Sequence, residues 1–334
     1  MLQESEPFVY HRALMAANPE PPEREFAAAV LRRKCDALLE EAVALIDAPR
    51  EDSVHDTRVQ SRRLRAALEA FEDLLPPRQA RALYDAARSI TRALGRPRET
   101  GVALALLEQL PDTGDPAEKL CREYLAERLR KKLRKQEKRL KRRLKASDLA
   151  RLRSRVEDIL GAMNRRGTAR TAPCDGGRTM QRARRIFGET ARPLLEFDAS
   201  RDFAGADDER LHALRIAAKK LRYAMEIFES AWPGGLQDQI ARARALQDAG
   251  GIYHDWSVLC AGLEKEISRL EENGSPGLAA GVGRIAALAR ERKAQLRQEI
   301  LPALAGLQAT LRKLRIRANR AGGGPPARSG GRTK

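Results

Sequence analysis

"VHDTRVQSRRLRAALEAF", residues 54–71, and "LHALRIAAKKLRYAMEIF", residues 211–228, are two versions of one pattern. In each, a His is followed three residues later by Arg, seven later by a basic residue and ten later by a second Arg. On a helix turning about 100° per residue, with His55 at 0°, Arg58, Arg62 and Arg65 fall near −60°, −20° and −80°. Leu64, Leu68 and Phe71 fall on the opposite side. The second copy repeats this, with His212, Arg215, Lys219 and Arg222 on one face and Leu214, Leu221, Met225 and Phe228 on the other. The spacing therefore predicts two amphipathic helices, each with a core-facing apolar stripe and a cationic face. Val59 and Ile216 fall near the basic side and are expected to pack against a neighbouring helix at its edge.

The repeat reaches beyond these helices. His55 and His212 are 157 residues apart, and at that offset Leu64, Ala67, Glu69 and Phe71 match Leu221, Ala224, Glu226 and Phe228. Arg62 and Arg63 match Lys219 and Lys220. Downstream, "LGRPRETGV" and "GGIYHDWSV" form a second matched block at an offset of 156, pairing Gly95 with Gly251 and Glu99 with Asp255. Two blocks in the same order predict a duplicated helical unit, its halves related by a pseudo-two-fold axis.

A chain of 334 residues can bury a sizeable core. Aromatic residues make up only 4%, and Leu and Ala dominate, which favours helices over strands. A net charge of +18 predicts a polyanionic partner: nucleic acid, an anionic surface or a free polyphosphate chain. Cys35, Cys121, Cys174 and Cys260 are too scattered for a zinc site or a disulfide framework, so a reducing compartment is expected. No apolar run is long enough to span a membrane. The opening "MLQESEPFVYHRALM" lacks the apolar stretch of a secretion signal. The expected location is the cytoplasm.

Helical periodicity covers most of the chain. Residues 1–21 read as a Pro-rich lead-in, 22–318 as one helical domain and 319–334 as a disordered, basic, Gly-rich tail. Within the domain, half one spans about 22–164, a linker about 165–179 and half two about 180–318. The first motif helix is expected from about 53 to 75, with Ser53 as its N-cap and Asp56 completing a capping-box-like pattern. The second is expected to start near Asp208, capped by Asp207 or Asp208. Breaks are expected near Gly95–Gly101 and at Gly250–Gly251, and a kink at Pro302. Residues 128–145, "RLRKKLRKQEKRLKRRLK", carry twelve Lys and Arg around a narrow Leu seam.

Three or four cations on one helix face repel one another unless an anion compensates them. Acidic partners at i,i+4 are scarce on these faces. A shared phosphate chain would satisfy them through bidentate guanidinium contacts. Both His lie near a helix N-terminus, where free N–H groups favour phosphate. Neither has a His or Cys at metal-ligand spacing, so no metal and no cofactor is expected.

These two motifs and the blocks behind them resemble the CHAD family, the conserved-histidine α-helical domain, over roughly residues 22–318. The resemblance implies an all-α fold of two helical bundles about a pseudo-two-fold axis, with a basic central groove or pore. It also implies inorganic polyphosphate as ligand and association with polyphosphate granules. Carried over by position, His55, Arg58, Arg62 and Arg65 would line one side of the basic surface, and His212, Arg215, Lys219 and Arg222 the other. Arg63 and Lys220 would flank them, with Glu99 and Asp255 as supporting acidic residues that orient the cations. Glu99 stands where the family usually has Asp. Some members carry a triphosphate-tunnel metalloenzyme domain with an E-x-E-x-K signature. None is found here, so a stand-alone binding domain is expected.

Two other functions compete with non-catalytic polyphosphate binding. Nonspecific binding of RNA or single-stranded DNA is the alternative, and at low salt such a basic chain is expected to bind nucleic acid in any case. Base stacking needs aromatic platforms, and only Tyr223 lies in a motif helix. A polyphosphate-processing enzyme would need a carboxylate–metal cluster or a P-loop, and the chain has no G-x-x-x-x-G-K-[ST]. No catalytic residue is assigned, and the sequence leaves the oligomeric state open.

Overall fold

The computed structural model describes residues 23–47, 51–143, 146–167 and 177–321, and among them there is no β-strand. The helices are α1 (Glu23–Asp47), α2 (Glu51–Ala70), α3 (Pro77–Gln109), α4 (Pro116–Arg143) and α5 (Ala146–Gly167). They continue with α6 (Gly177–Glu196), the single turn α7 (Ala199–Asp202), α8 (Asp208–Phe228), α9 (Gln237–Glu272) and α10 (Pro276–Ala321). The fold is all-α, as expected. The lead-in 1–21, the central part of the expected linker and most of the tail lie outside the described residues. So does Cys174; Cys35, Cys121 and Cys260 are buried free thiols. No helix among the described residues is long and apolar enough to cross a membrane.

α2 and α8 are the motif helices, and their apolar stripes are core. Leu64, Phe71, Leu221, Met225 and Phe228 are fully buried. The rings of Phe71 and Phe228 meet edge-on with centroids 5.6 Å apart, and Phe26 of α1 stacks on Phe228 at 5.9 Å. This shared aromatic cluster holds the C-terminal ends of α2 and α8 together, and the two helices pack directly on each other. Matched positions of the repeat thus meet in space.

Three local expectations are corrected. The break expected near Gly95–Gly101 does not occur: α3 runs through Pro97. An internal Pro removes one backbone hydrogen bond and costs about 3 kcal/mol. Burial of Leu94, Leu106 and Leu107 on either side offsets this at about 1.5–3 kcal/mol per side chain. For the same reason α9 runs unbroken through Gly250–Gly251, carried by buried Leu246, Tyr253 and Trp256. Ser53 is not a cap. α2 begins at Glu51, and the Ser53 carbonyl accepts a bond from the buried Thr57 hydroxyl at 2.7 Å. Asp207 does cap α8, its carboxylate accepting from the Arg210 N–H at 2.8 Å.

The apolar core falls into two clusters, and each draws on both halves of the sequence. One gathers α1, α2, α5, α6 and α8 with the N-terminal part of α3 and α9 and the C-terminal part of α10. The other gathers the C-terminal part of α3 and α9 with the N-terminal part of α4 and α10. α3 passes between clusters from Leu94 to Leu106, and α9 from Tyr253 to Trp256. The first stretch contains one copy of the second repeated block, and the other lies within the second copy.

Candidate anion-binding site

The cationic faces of α2 and α8 meet where α3 and α9 cross between the two apolar clusters. Arg58 lies against α3 and Arg215 against α9. A β-carbon at Gly95 of α3 would lie 3.5 Å from Arg58 Nη1, and one at Gly251 of α9 would lie 3.4 Å from Arg215 Nε. Gly250 is tighter still, 3.1 Å from Arg215 Cβ. The matched glycines of the second block thus lie against the matched arginines of the first, and only at Gly250 would a β-carbon press closer than ordinary contact. Their φ is not left-handed, so turn geometry does not explain the glycines.

Arg58, Arg62, Arg65, Arg215 and Lys219 form one half-buried group. Burial, followed by Arg62, Arg215, Arg58 and Arg65, pushes the Lys219 amine down to about 7. Four guanidinium groups from both motif helices therefore act on a single ammonium. Burial and like charges also lower Arg58 and Arg62, with Arg215 acting on both. Several of these donors have nothing to bond: Arg58 Nη1, Arg62 Nε, Arg65 Nε and Arg215 Nε are buried without a hydrogen-bond partner, as is His212 Nδ1. Buried polar groups are nearly always satisfied. A cluster of unsatisfied cationic donors is a site shaped for an anion.

Each remaining residue expected in the site has a definite place. The His55 side chain stays solvent-accessible at the N-terminal end of α2, and partial desolvation of its ring and then Arg98 lower its imidazole. The His212 ring lies 4.2 Å from that of His254. Burial and then Arg215 lower His212, while burial and then His212 push His254 down to about 4. Lys220 is exposed. Glu99, exposed on α3, is the strongest charge supporting Arg58. Burial raises the Asp255 carboxyl, against the pull of Arg215, Arg98 and Arg58. No group of three or more His, Cys, Asp or Glu able to hold a metal ion is present among the described residues.

Arg63 and Arg222 are turned to another purpose. The Glu226 carboxylate receives Arg63 in a bidentate pair at 2.9 and 3.2 Å, and it also receives Arg222 Nη1. Arg222 is only 5% exposed and donates from Nε to Gln247 at 3.1 Å. The expectation that Arg222 points into a groove is therefore corrected: its guanidinium joins the ion pair that ties α2 to α8. The matched Glu69 behaves differently, accepting from the Tyr84 hydroxyl while Arg65 Nη2 donates to the same hydroxyl. Arg65 is thus half engaged, its Nη2 bonded and its Nε unpartnered.

Sequence reasoning passed over Arg98, His254 and Lys34. The first two carried a signal, since they occupy matched positions of the second block at the offset of 156; Arg98 acts on His55, and His254 lies against His212. Lys34 on α1 carried none. Burial and then Arg33 and Arg63 lower it to about 8, which places a further cation beside the Glu226 ion pair.

Residues 29–264 match the sequence model of the CHAD domain, and the chain belongs to that family. Two solved structures share the fold. The CHAD domain from the plant Ricinus communis is 21% identical, with a TM-score of 0.62 over 86% of this chain and 93% of that one. PptA from Streptomyces chartreusis is 16% identical, also with a TM-score of 0.62, over 86% of this chain and 99% of that one. A search of curated protein sequences found no significant match.

Proposed function

We propose that this CHAD-family protein binds inorganic polyphosphate without turning it over, through Arg58, Arg62 and Arg65 of α2 and Arg215 and Lys219 of α8. The observation that carries this reading is the set of buried guanidinium donors without partners, contributed by both motif helices to one place. Polyphosphate offers a line of oxygen acceptors and a charge on every unit, so one chain can satisfy several donors at once. It asks for no aromatic platform, and the nearby Tyr84 and Tyr223 rings have Arg65 and Arg222 lying over them. His55 and His212 sit beside the cluster, placed to donate once phosphate raises their proton affinity. Glu99 and Asp255 put negative charge near Arg58 and Arg215 and would orient them. Binding of this kind suits a protein that coats polyphosphate granules in the cytoplasm.

A competition titration of long polyphosphate against single-stranded DNA at physiological salt tests this. Polyphosphate is expected to win at equal phosphate concentration. Equal affinity would reduce the site to a general polyanion binder and favour nucleic acid. Chain shortening or nucleotide formation on incubation with polyphosphate and magnesium would make the protein an enzyme instead.

A further inference from the structure

A basic cavity separate from the motif-helix cluster lies against α3. It has a volume of about 860 Å³ and is enclosed by α3, α4 and α5. Five arginines reach it: Arg92 and Arg96 from α3, Arg139 from α4, Arg151 and Arg155 from α5. Among the described residues, no carboxylate lines it. Its floor differs from that of the motif-helix cluster. Ile90, Leu140, Leu149 and Leu152 contribute apolar surface, and the last three are buried. Gln136 completes the wall, with its amide Oε1 buried and without a hydrogen-bond partner.

We propose that this cavity binds a nucleoside polyphosphate. Three features select that class together. The arginines at the rim match a multiply charged phosphate group. The apolar floor would be wasted on an inorganic chain, but it suits a flat, weakly polar base, over which guanidinium planes also stack. The unpartnered Gln136 amide calls for a ligand that brings its own hydrogen-bond donor, as a base N–H does and an alkyl chain does not. The volume falls within the range of small-molecule sites, roughly 300–1,000 Å³.

The probes are GTP, ATP, inorganic tripolyphosphate and dodecyl phosphate, each titrated calorimetrically into the full chain at physiological salt. A nucleoside triphosphate is expected to bind more tightly than tripolyphosphate of similar charge and more tightly than the alkyl phosphate. Arg92 and Arg139 are exposed on facing walls, so the double variant Arg92→Glu, Arg139→Glu should fold as the parent does. It is expected to lose about tenfold or more in nucleotide affinity, as the loss of even one charge-assisted contact does. Gln136→Leu should weaken the nucleotide and leave tripolyphosphate unchanged. Arg58→Ala, Arg215→Ala should weaken long polyphosphate and leave the nucleotide unchanged, which separates this proposal from the one above. Tripolyphosphate or dodecyl phosphate matching the nucleotide would overturn the assignment. So would a nucleotide loss that follows Arg58 and Arg215 and not the cavity arginines.

Discussion

Arg222 and Lys219 are three residues apart on one helix, yet their side chains have opposite roles. Arg222 is buried against Glu226, which also takes Arg63 from the other motif helix. Arg222→Ala should therefore destabilise the protein by about 1–3 kcal/mol, since it leaves the part-buried Glu226 with one hydrogen-bonded arginine and the Gln247 Oε1 with no donor. Leu221→Ala, which opens a cavity at a fully buried position, should cost about 2–5 kcal/mol. Arg58→Ala should cost much less than either in the ligand-free protein, because it removes a cation from a crowd of cations. Thermal melts of the three variants check that order. An Arg222→Ala variant as stable as the parent would mean that the Glu226 pair contributes nothing.

Lys219 also predicts a pH dependence. Its folded-state pKa of about 7 lies below the ordinary lysine value of 10.5. Between those two values the unfolded chain binds more protons than the folded one, so ligand-free stability should rise with pH from about 7 towards 10. A bound polyanion favours the ammonium form, so binding takes up a proton in that window and affinity should fall as pH rises above 7. Calorimetry at pH 7 and pH 9, in buffers of different ionisation enthalpy, reads both the affinity and the proton uptake. Lys219→Arg should remove most of the proton uptake attributable to this side chain. Affinity that rises from pH 7 to pH 9 would place Lys219 outside the contact.

Among the elements, α3 and α9 carry the pattern hardest to read in one dimension. Pro97 and the Gly250–Gly251 pair look like helix ends, and local propensity says so. Tertiary burial on both sides overrides that preference. The glycines then acquire a different meaning, as places where an arginine crosses a neighbouring helix. Gly95→Ala should stabilise the protein by about 0.5–1 kcal/mol, since Ala is the better helix former and the new methyl meets Arg58 at an ordinary distance. Gly250→Ala should gain less or cost stability, because its methyl would press on Arg215 Cβ. It should also weaken polyphosphate binding by shifting that side chain. If both substitutions stabilise equally, the contact at Gly250 is looser than the backbone geometry gives.

For the molecule as a whole, cations from both motif helices share one environment, so a long anion touching both gains from linked sites. Three double variants that remove equal formal charge test this. Arg58→Ala with Arg62→Ala, and Arg215→Ala with Lys219→Ala, should each weaken long-chain binding by tenfold or more, at about 1.5–3 kcal/mol for a well-made charge-assisted contact before solvent screening. Lys119→Ala with Lys265→Ala, both exposed and outside the cluster, should have a much smaller effect. Equal losses in all three would mean that only net charge matters.

By itself the sequence determined the all-helical class, the phase of both motif helices and the residue types at the cationic site. Those features follow from periodicities of a few residues. Leu64, Phe71, Leu221 and Phe228 had to be core because each stands opposite a row of cations on its own helix. The tertiary structure alone decided which cations stay unsatisfied. Arg62 and Arg63 are adjacent and chemically identical, yet Glu226, 163 positions from Arg63, takes one and leaves Nε of the other unpartnered. Only the packing of α2 on α8 brings that carboxylate within reach. The same holds for Gly95 and Gly251, whose use depends on which side chain crosses them, and for the arginine-rimmed cavity, where the walls come from three helices. Local periodicity encodes which face a residue occupies. Pairing between faces depends on distances that exist only after the chain has folded.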